Sequence, residues 1–157
     1  MALFNVRVYG LLINDRQEIL ISDEQEYGMQ FTKFPGGGLE FGEGTRDCLQ
    51  REFLEEMNLK VEVTHHLYTT DFFQMSAFNK THQIVSIYYY VKALEEIKVP
   101  LRTEAFAFDE QQLKIYAELN QIETFRFINR DEFSAGSVSL PIDKVVADMV
   151  KNMLVKK

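Results

Sequence analysis

Between Gly36 and Leu59 the chain reads GGGLEFGEGTRDCLQREFLEEMNL, and this stretch constrains the fold more than any other. Three consecutive glycines offer no side chains for packing. From Thr45 onward the pattern turns helical: Leu49, Phe53 and Met57 recur at every fourth position. Gly44 or Thr45 can serve as N-cap, and Asn58 stands where a left-handed C-terminal cap is wanted. The spacing predicts a helix over Thr45–Met57, entered directly from a glycine loop.

That helix carries a charge problem. At about 100° per residue, Leu49, Phe53 and Met57 form one apolar stripe, and Glu52, Glu55 and Glu56 fall on an arc of roughly 100° beside it. Like charges three and four residues apart cost about 0.2–0.5 kcal/mol per pair. Arg51 lies four residues before Glu55 and can hold that carboxylate, but one guanidinium cannot neutralise the set. The cluster calls for a cation, and hard oxygen ligands suit Mg²⁺ or Mn²⁺, which take substrate phosphates as further ligands. Gly36, Gly37 and Gly38 let backbone approach such a metal or ligand closely. They lead into the helix through Glu40, Gly42 and Glu43.

Composition narrows the function classes. The 157 residues, 46% of them apolar, suffice for one domain, 1–157, that needs neither disulfides nor a structural metal to fold. A net charge of -7 argues against gripping a nucleic-acid polymer, since that affinity comes from Lys and Arg on phosphates. A small phosphorylated ligand bound through a cation remains compatible. Cys48 is the only cysteine, which excludes an internal disulfide and accords with a reducing cytosol. The opening MALFNVRVYGLLIND is interrupted by Asn5, Arg7 and Asn14 and reads as a strand rather than a signal. No run of 18 apolar residues is present, so no membrane span and a cytoplasmic location are expected.

Along the rest of the chain, residues 4–13 and 18–22 read as antiparallel strands joined at Asn14-Asp15-Arg16-Gln17. Residues 23–33 read as a polar loop leading to an extended Phe34-Pro35. Further strands are predicted over 61–71, 72–78, 83–94 and 123–128. A long connection covers 95–121 with a short helix at 109–119, and an apolar stripe at Ile142, Val145, Val146, Met149, Met153 and Leu154 marks a helix over Pro141–Val155.

Gly37, Glu43, Arg51, Glu52, Phe53, Glu55, Glu56 and Leu59 occupy the spacing of the Nudix hydrolase signature: Gly, five residues, Glu, seven residues, Arg-Glu, an apolar residue, any residue, Glu-Glu, any residue, Gly and an apolar residue. Asn58 departs, standing where that family has Gly. Phe34-Pro35-Gly36 before the box also resembles the family. The resemblance implies an α/β fold of α/β/α sandwich type around a mixed sheet. It implies Mg²⁺-dependent hydrolysis of a nucleoside diphosphate linked to another group, a small-molecule nucleotide partner and a homodimer. In family terms Glu52, Glu55 and Glu56 bind metal, the Gly36 carbonyl is a further ligand, Glu43 contributes through water or hydrogen bonds, and Arg51 orients the acids. The general base comes from the box, as Glu55, or from a later segment, as Glu118 or Glu123, and Glu123 is placed with the catalytic set. A non-catalytic nucleotide sensor on the same fold is the alternative, disfavoured by the complete set of acids. The absence of Pro between Pro35 and Pro100 departs from the pattern of members acting on ADP-ribose, and the pattern of NADH-directed members is missing too.

Other residues have blander readings. Cys48 without a nearby His reads as packing. His65 and His66, adjacent in a strand, point to opposite faces and do not share a metal. Tyr88, Tyr89 and Tyr90 divide between core and surface. Tyr27 and Phe31, near the glycine loop, are the stacking candidates for a base. Lys33 and Arg7 read as solvated surface cations rather than phosphate contacts.

Overall fold

The computed structural model describes residues 3–155; Met1, Ala2, Lys156 and Lys157, and with them the two ends of the 1–157 domain reading, lie outside the described residues. In chain order the elements are β1 (Leu3–Leu12), β2 (Glu18–Glu26), β3 (Met29–Lys33), β4 (Gly36–Gly38), α1 (Thr45–Met57), β5 (Val61–Thr69), β6 (His82–Ala93), β7 (Leu101–Arg102), α2 (Glu110–Leu119), β8 (Gln121–Asn129), a 3-10 turn at Ala135–Ser137, and α3 (Pro141–Val155). This is a mixed α+β fold. The strands divide into two four-stranded sheets, ordered β4-β1-β6-β5 and β3-β2-β8-β7.

Two compact units follow the two sheets. The first runs through Leu12 and resumes over Pro35–Lys98. Its spine is the parallel pair β1 and β6, in unbroken register from Leu3 opposite His82 to Leu12 opposite Val91. Val8, Tyr9, Leu11, Tyr88 and Val91 are buried there, as expected for β-branched and aromatic residues in inner strands. The helix α1 buries Cys48, Leu49, Phe53 and Met57, the predicted stripe plus one residue. Asn58 closes it in the left-handed conformation, with φ 49°, its N–H bonded to the Leu54 carbonyl.

The second unit covers Ile13–Phe34 and the chain from Val99 on. Here β2 and β3 form an antiparallel hairpin, from Ser22 opposite Lys33 to Glu26 opposite Met29. It turns on Tyr27 (φ 45°) and Gly28 (φ 81°), the two positive dihedrals of a type I′ connection. Residues 23–33 are therefore strand–turn–strand and not a loop. Their polarity misled because Asp23 is fully buried in the sheet, where Arg126 (2.7 Å), Thr32 (2.6 Å) and the Phe106 N–H (3.3 Å) satisfy it.

Two further expectations change. β1 and β2 belong to different sheets; the turn at Asn14–Gln17 that joins them is closed by the Asn14 N–H on the Glu18 carbonyl and the Gln17 N–H on the Asn14 carbonyl, both at 3.0 Å, beside the isolated bridge between Ile13 and Ile19. Residues 72–78 form no strand beyond the bridge between Met75 and Gln83, and Phe72, Phe73 and Phe78 are exposed. Aromatic content alone does not supply the partner strand a ladder requires. α2 begins one residue later than predicted, behind a capping box between Asp109 and Gln112.

Candidate active site

The glycine run is a strand, and its glycines have separate reasons. β4 pairs with β1, Val8 opposite Gly37 and Tyr9 opposite Gly36. Gly36 has φ 147°, and a Cβ there would run into the Val8 carbonyl oxygen, so only glycine lets β4 lie flush on its neighbour. A Cβ on Gly37 would sit 2.5 Å from the carboxyl carbon of Glu52. The Glu52 carboxylate thus occupies the space a side chain at residue 37 would take, against the backbone of β4.

Arg51 organises the acids. Its Nε and Nη2 donate to the two oxygens of Glu43 at 2.9 and 2.7 Å, a two-pronged charge-assisted pair. Its Nη1 donates to Glu52 at 3.0 Å and to Glu55 at 3.2 Å. Glu40 lies 3.7 Å away, and Nη2 also donates to the Gly38 carbonyl at 3.1 Å. Four carboxylates therefore share one guanidinium. The sequence paired Arg51 with Glu55; the geometry gives the stronger pair to Glu43, which follows the turn at residues 41–42, where Gly42 takes φ 96°. Hydrogen bonding to Arg51 holds the Glu43 carboxyl down to about 2, and Glu43 in turn raises the guanidinium further. Glu52 and Glu56 are half-buried and Glu55 is exposed.

Cys48 sits under this cluster, fully buried, its Sγ donating to the Gly38 carbonyl at 3.5 Å. Burial pushes its thiol up to about 12, which accords with a packing role. His65 and His66 are both exposed on β5, where register shifts flank His66. His66 bonds to Thr69 at 2.8 Å. Tyr88 and Tyr89 are both buried and Tyr90 is half-buried.

The remaining sequence candidates lie in the second unit. Tyr27 is 71% exposed at the tip of the hairpin, whereas Phe31 is buried in β3 at 7%. Glu118 is exposed on α2. Glu123 lies on β8, opposite Glu24 of β2, and accepts a hydrogen bond from the Ser22 hydroxyl. Lys33 contradicts its reading as a solvated cation: it is 3% exposed, with Nζ 3.2 Å from Glu24 and 3.6 Å from Glu123. Burial pushes the Glu123 carboxyl up, with Glu24 adding to the rise and Lys33 opposing it, to about 7.

Ser22 and Glu24 were not singled out in the sequence, and Lys33 was read as solvated. The signal was present in Tyr27-Gly28 and in the alternation of residues 22, 24 and 26, which a hairpin reading places on one face.

Comparison with known proteins bears on the family and the fold. A profile described as the NUDIX domain matches residues 3–138. Among solved structures, the MutT protein from Methanosarcina mazei Go1 superposes with a TM-score of 0.67 at 16% identity, covering 99% of this chain and 98% of that one. A MutT NUDIX hydrolase from Burkholderia pseudomallei gives 0.64 at 17%, over 93% and 96% of the two chains. An ADP-ribose pyrophosphatase from Streptococcus suis gives 0.57 at 13%, over 98% and 92%.

Proposed function

The chain belongs to the Nudix family, the hydrolases of pyrophosphate bonds, and from that premise we propose that it is a divalent-metal-dependent pyrophosphohydrolase of small nucleotides. Its substrate is a nucleoside diphosphate linked to another moiety, a nucleoside triphosphate or a related nucleotide. The products are a nucleoside monophosphate and the phosphorylated remainder. The domain profile running without a break from residue 3 to 138 supports reading the chain as one Nudix domain. The absence of any helix among the described residues long and apolar enough to cross a membrane accords with a cytosolic setting.

The observation that carries this reading is the donor set around Arg51: four carboxylates within 3.7 Å of a single guanidinium, with Glu56 on the same helix. Hard carboxylate oxygens in such excess fit Mg²⁺ or Mn²⁺. Glu52, Glu55 and Glu56 would hold the metal, with the Gly36 carbonyl as a further ligand and Glu43 acting through water or hydrogen bonds. A metal bound there supplies charge neutralisation of the pyrophosphate and a more acidic attacking water. The chain's own residues do the rest. Arg51 fixes the carboxylates relative to β4, Gly36, Gly37 and Gly38 let β4 lie close to β1 and to the Glu52 carboxylate at the edge where substrate would bind, and exposed Tyr27 offers a ring face for a base. Glu123, whose proton affinity is lifted toward neutrality, has the property wanted of a general base at physiological pH.

Purified protein incubated with Mg²⁺ and a panel of nucleoside triphosphates, oxidised purine nucleotides, nucleotide sugars and dinucleoside polyphosphates tests this directly. Hydrolysis that disappears with chelator and in Glu56→Gln is the expected result. No turnover across the panel, with one nucleotide still raising thermal stability, would replace the enzyme by a sensor.

A further inference from the structure

A second charged cluster lies outside the Nudix signature, on one face of the β3-β2-β8 surface. Strand register creates it. Glu24 faces Glu123 across β2 and β8, and Ser22 faces Lys33 across β2 and β3. The two-residue strand period then brings all four side chains to the same face. The Lys33 side chain is 4% exposed, less than either carboxylate it meets, and its ammonium also donates to the Phe34 carbonyl at 3.5 Å. Phe31 stands opposite Glu24 in register and is buried.

Stability does not account for this arrangement. Burying an ammonium and two carboxylates costs several kcal/mol per ion before their attraction is counted, and well-packed apolar side chains hold such a place at least as firmly. One ammonium also balances only one of the two carboxylates when both are ionised. What the cluster does provide is a carboxyl with one fixed orientation. The Ser22 hydroxyl donates to one Glu123 oxygen, the same oxygen that lies 3.6 Å from the ammonium, and the Glu24 carboxylate takes the closer place on Lys33.

We propose that Lys33 is a positioning residue for the hydrolysis, holding the Glu123 carboxylate, together with the Ser22 hydroxyl, as a single oriented proton acceptor. The inference rests on the reading of Glu123 as general base within the proposed function. Glu24 serves as the counter-charge that anchors the ammonium, and Lys33 acts only through Glu123.

A double-mutant cycle tests it, with kcat and KM measured for wild type, Lys33→Met, Glu123→Gln and the double variant on whichever nucleotide the wild type hydrolyses, each shown folded by its thermal transition. Removing a general base lowers kcat by roughly 100-fold or more. Lys33→Met is expected to lower kcat by ~10- to 100-fold with KM little changed. The double variant should be no slower than Glu123→Gln, and Lys33→Arg should recover most of the loss. Ser22→Ala, which leaves every charge in place, should lower kcat by a smaller factor, so the inference stays testable even where Lys33→Met folds poorly. Wild-type kcat in folded Lys33→Met, or losses that multiply in the double variant, would overturn it. Glu56→Gln separates the two levels. If that variant is inactive while Lys33→Met is fully active, only the role of Lys33 fails; if Glu56→Gln is as active as wild type, the metal-carboxylate reading fails and this inference with it.

Discussion

Arg51 and Lys33 each hold several carboxylates around one positive charge, and they do so in opposite surroundings. The Arg51 side chain is 23% exposed, at the rim of α1, and reaches four acids with a planar fork of donors. Lys33 is sealed in a sheet and meets two acids with a point charge. Guanidinium geometry suits the first task, because several carboxylates can be aligned side by side while water still screens their repulsion. The ammonium suits the second, where little room exists and each added ion carries a desolvation cost. The same motif of shared charge is thus an ordering device at the rim and a strained one inside. The carboxyl groups record the difference, with Glu43 pulled down to about 2 and Glu123 pushed up to about 7.

The largest expected effect lies in the backbone that supports the rim cluster. Gly36→Ala should cost about 3 kcal/mol or more, because the added Cβ meets backbone at a φ that L-residues avoid. Gly37→Ala meets only the mobile end of Glu52 and should cost much less stability while lowering Mg²⁺ affinity. Urea unfolding beside a metal titration separates the two. Equal losses of stability would show that Glu52 is as rigidly held as the Val8 backbone.

Next in size is the contrast between the cations themselves. Lys33→Met should destabilise by about 3 kcal/mol through the carboxylates left buried, and Arg51→Met by about 1 kcal/mol or less in the absence of metal. Activity should invert part of this order, since losing the orientation of metal-binding carboxylates costs roughly 10- to 100-fold in metal affinity. Denaturant midpoints and the Mg²⁺ dependence of turnover for the two variants decide it. A more destabilised Arg51→Met would end the distinction between rim and interior.

The pH dependence sharpens the comparison because the two carboxyls act in opposite directions. Glu43 is lowered from an ordinary 4.5 to about 2, so its contribution is present above pH 4.5 and is lost as pH falls toward 2. Glu123 is raised from 4.5 to about 7, so the folded chain holds its proton better than the unfolded one; that stabilisation is complete below pH 4.5 and is lost as pH rises to 7. Unfolding midpoints for Glu123→Gln should therefore decline less between pH 5 and 7 than those of the wild type, and Glu43→Gln should differ most from wild type in how it responds below pH 4.5.

The smallest effect is expected at the end of α1. Asn58 already adopts the left-handed conformation at φ 49°, so Asn58→Gly should shift stability by less than about 1 kcal/mol and leave turnover unchanged. A large loss of activity there would mean that the position departing from the Nudix signature governs the acids after all.

Most of α1 was legible because its information is local. The stripe of Leu49, Phe53 and Met57, the cap at Asn58 and the row of acids all follow from a 3.6-residue period, and the box spacing follows from the same helix. Residues 23–33 were opaque for the converse reason. Asp23 and Lys33 look solvated in one dimension, and the ions that let them be buried are brought by strand pairing: Arg126 of β8 for the first, Glu24 of β2 and Glu123 of β8 for the second.

By itself the sequence determined that a glycine segment feeds an acid-bearing helix and that the helix needs a cation, since neighbours along the chain set both. Only the tertiary structure decided that the glycines form a strand against β1, that Glu43 rather than Glu55 takes the main grip of Arg51, and that Lys33 is interior. Strand pairing joins residues without regard to their distance in the chain, and burial reverses what polarity means.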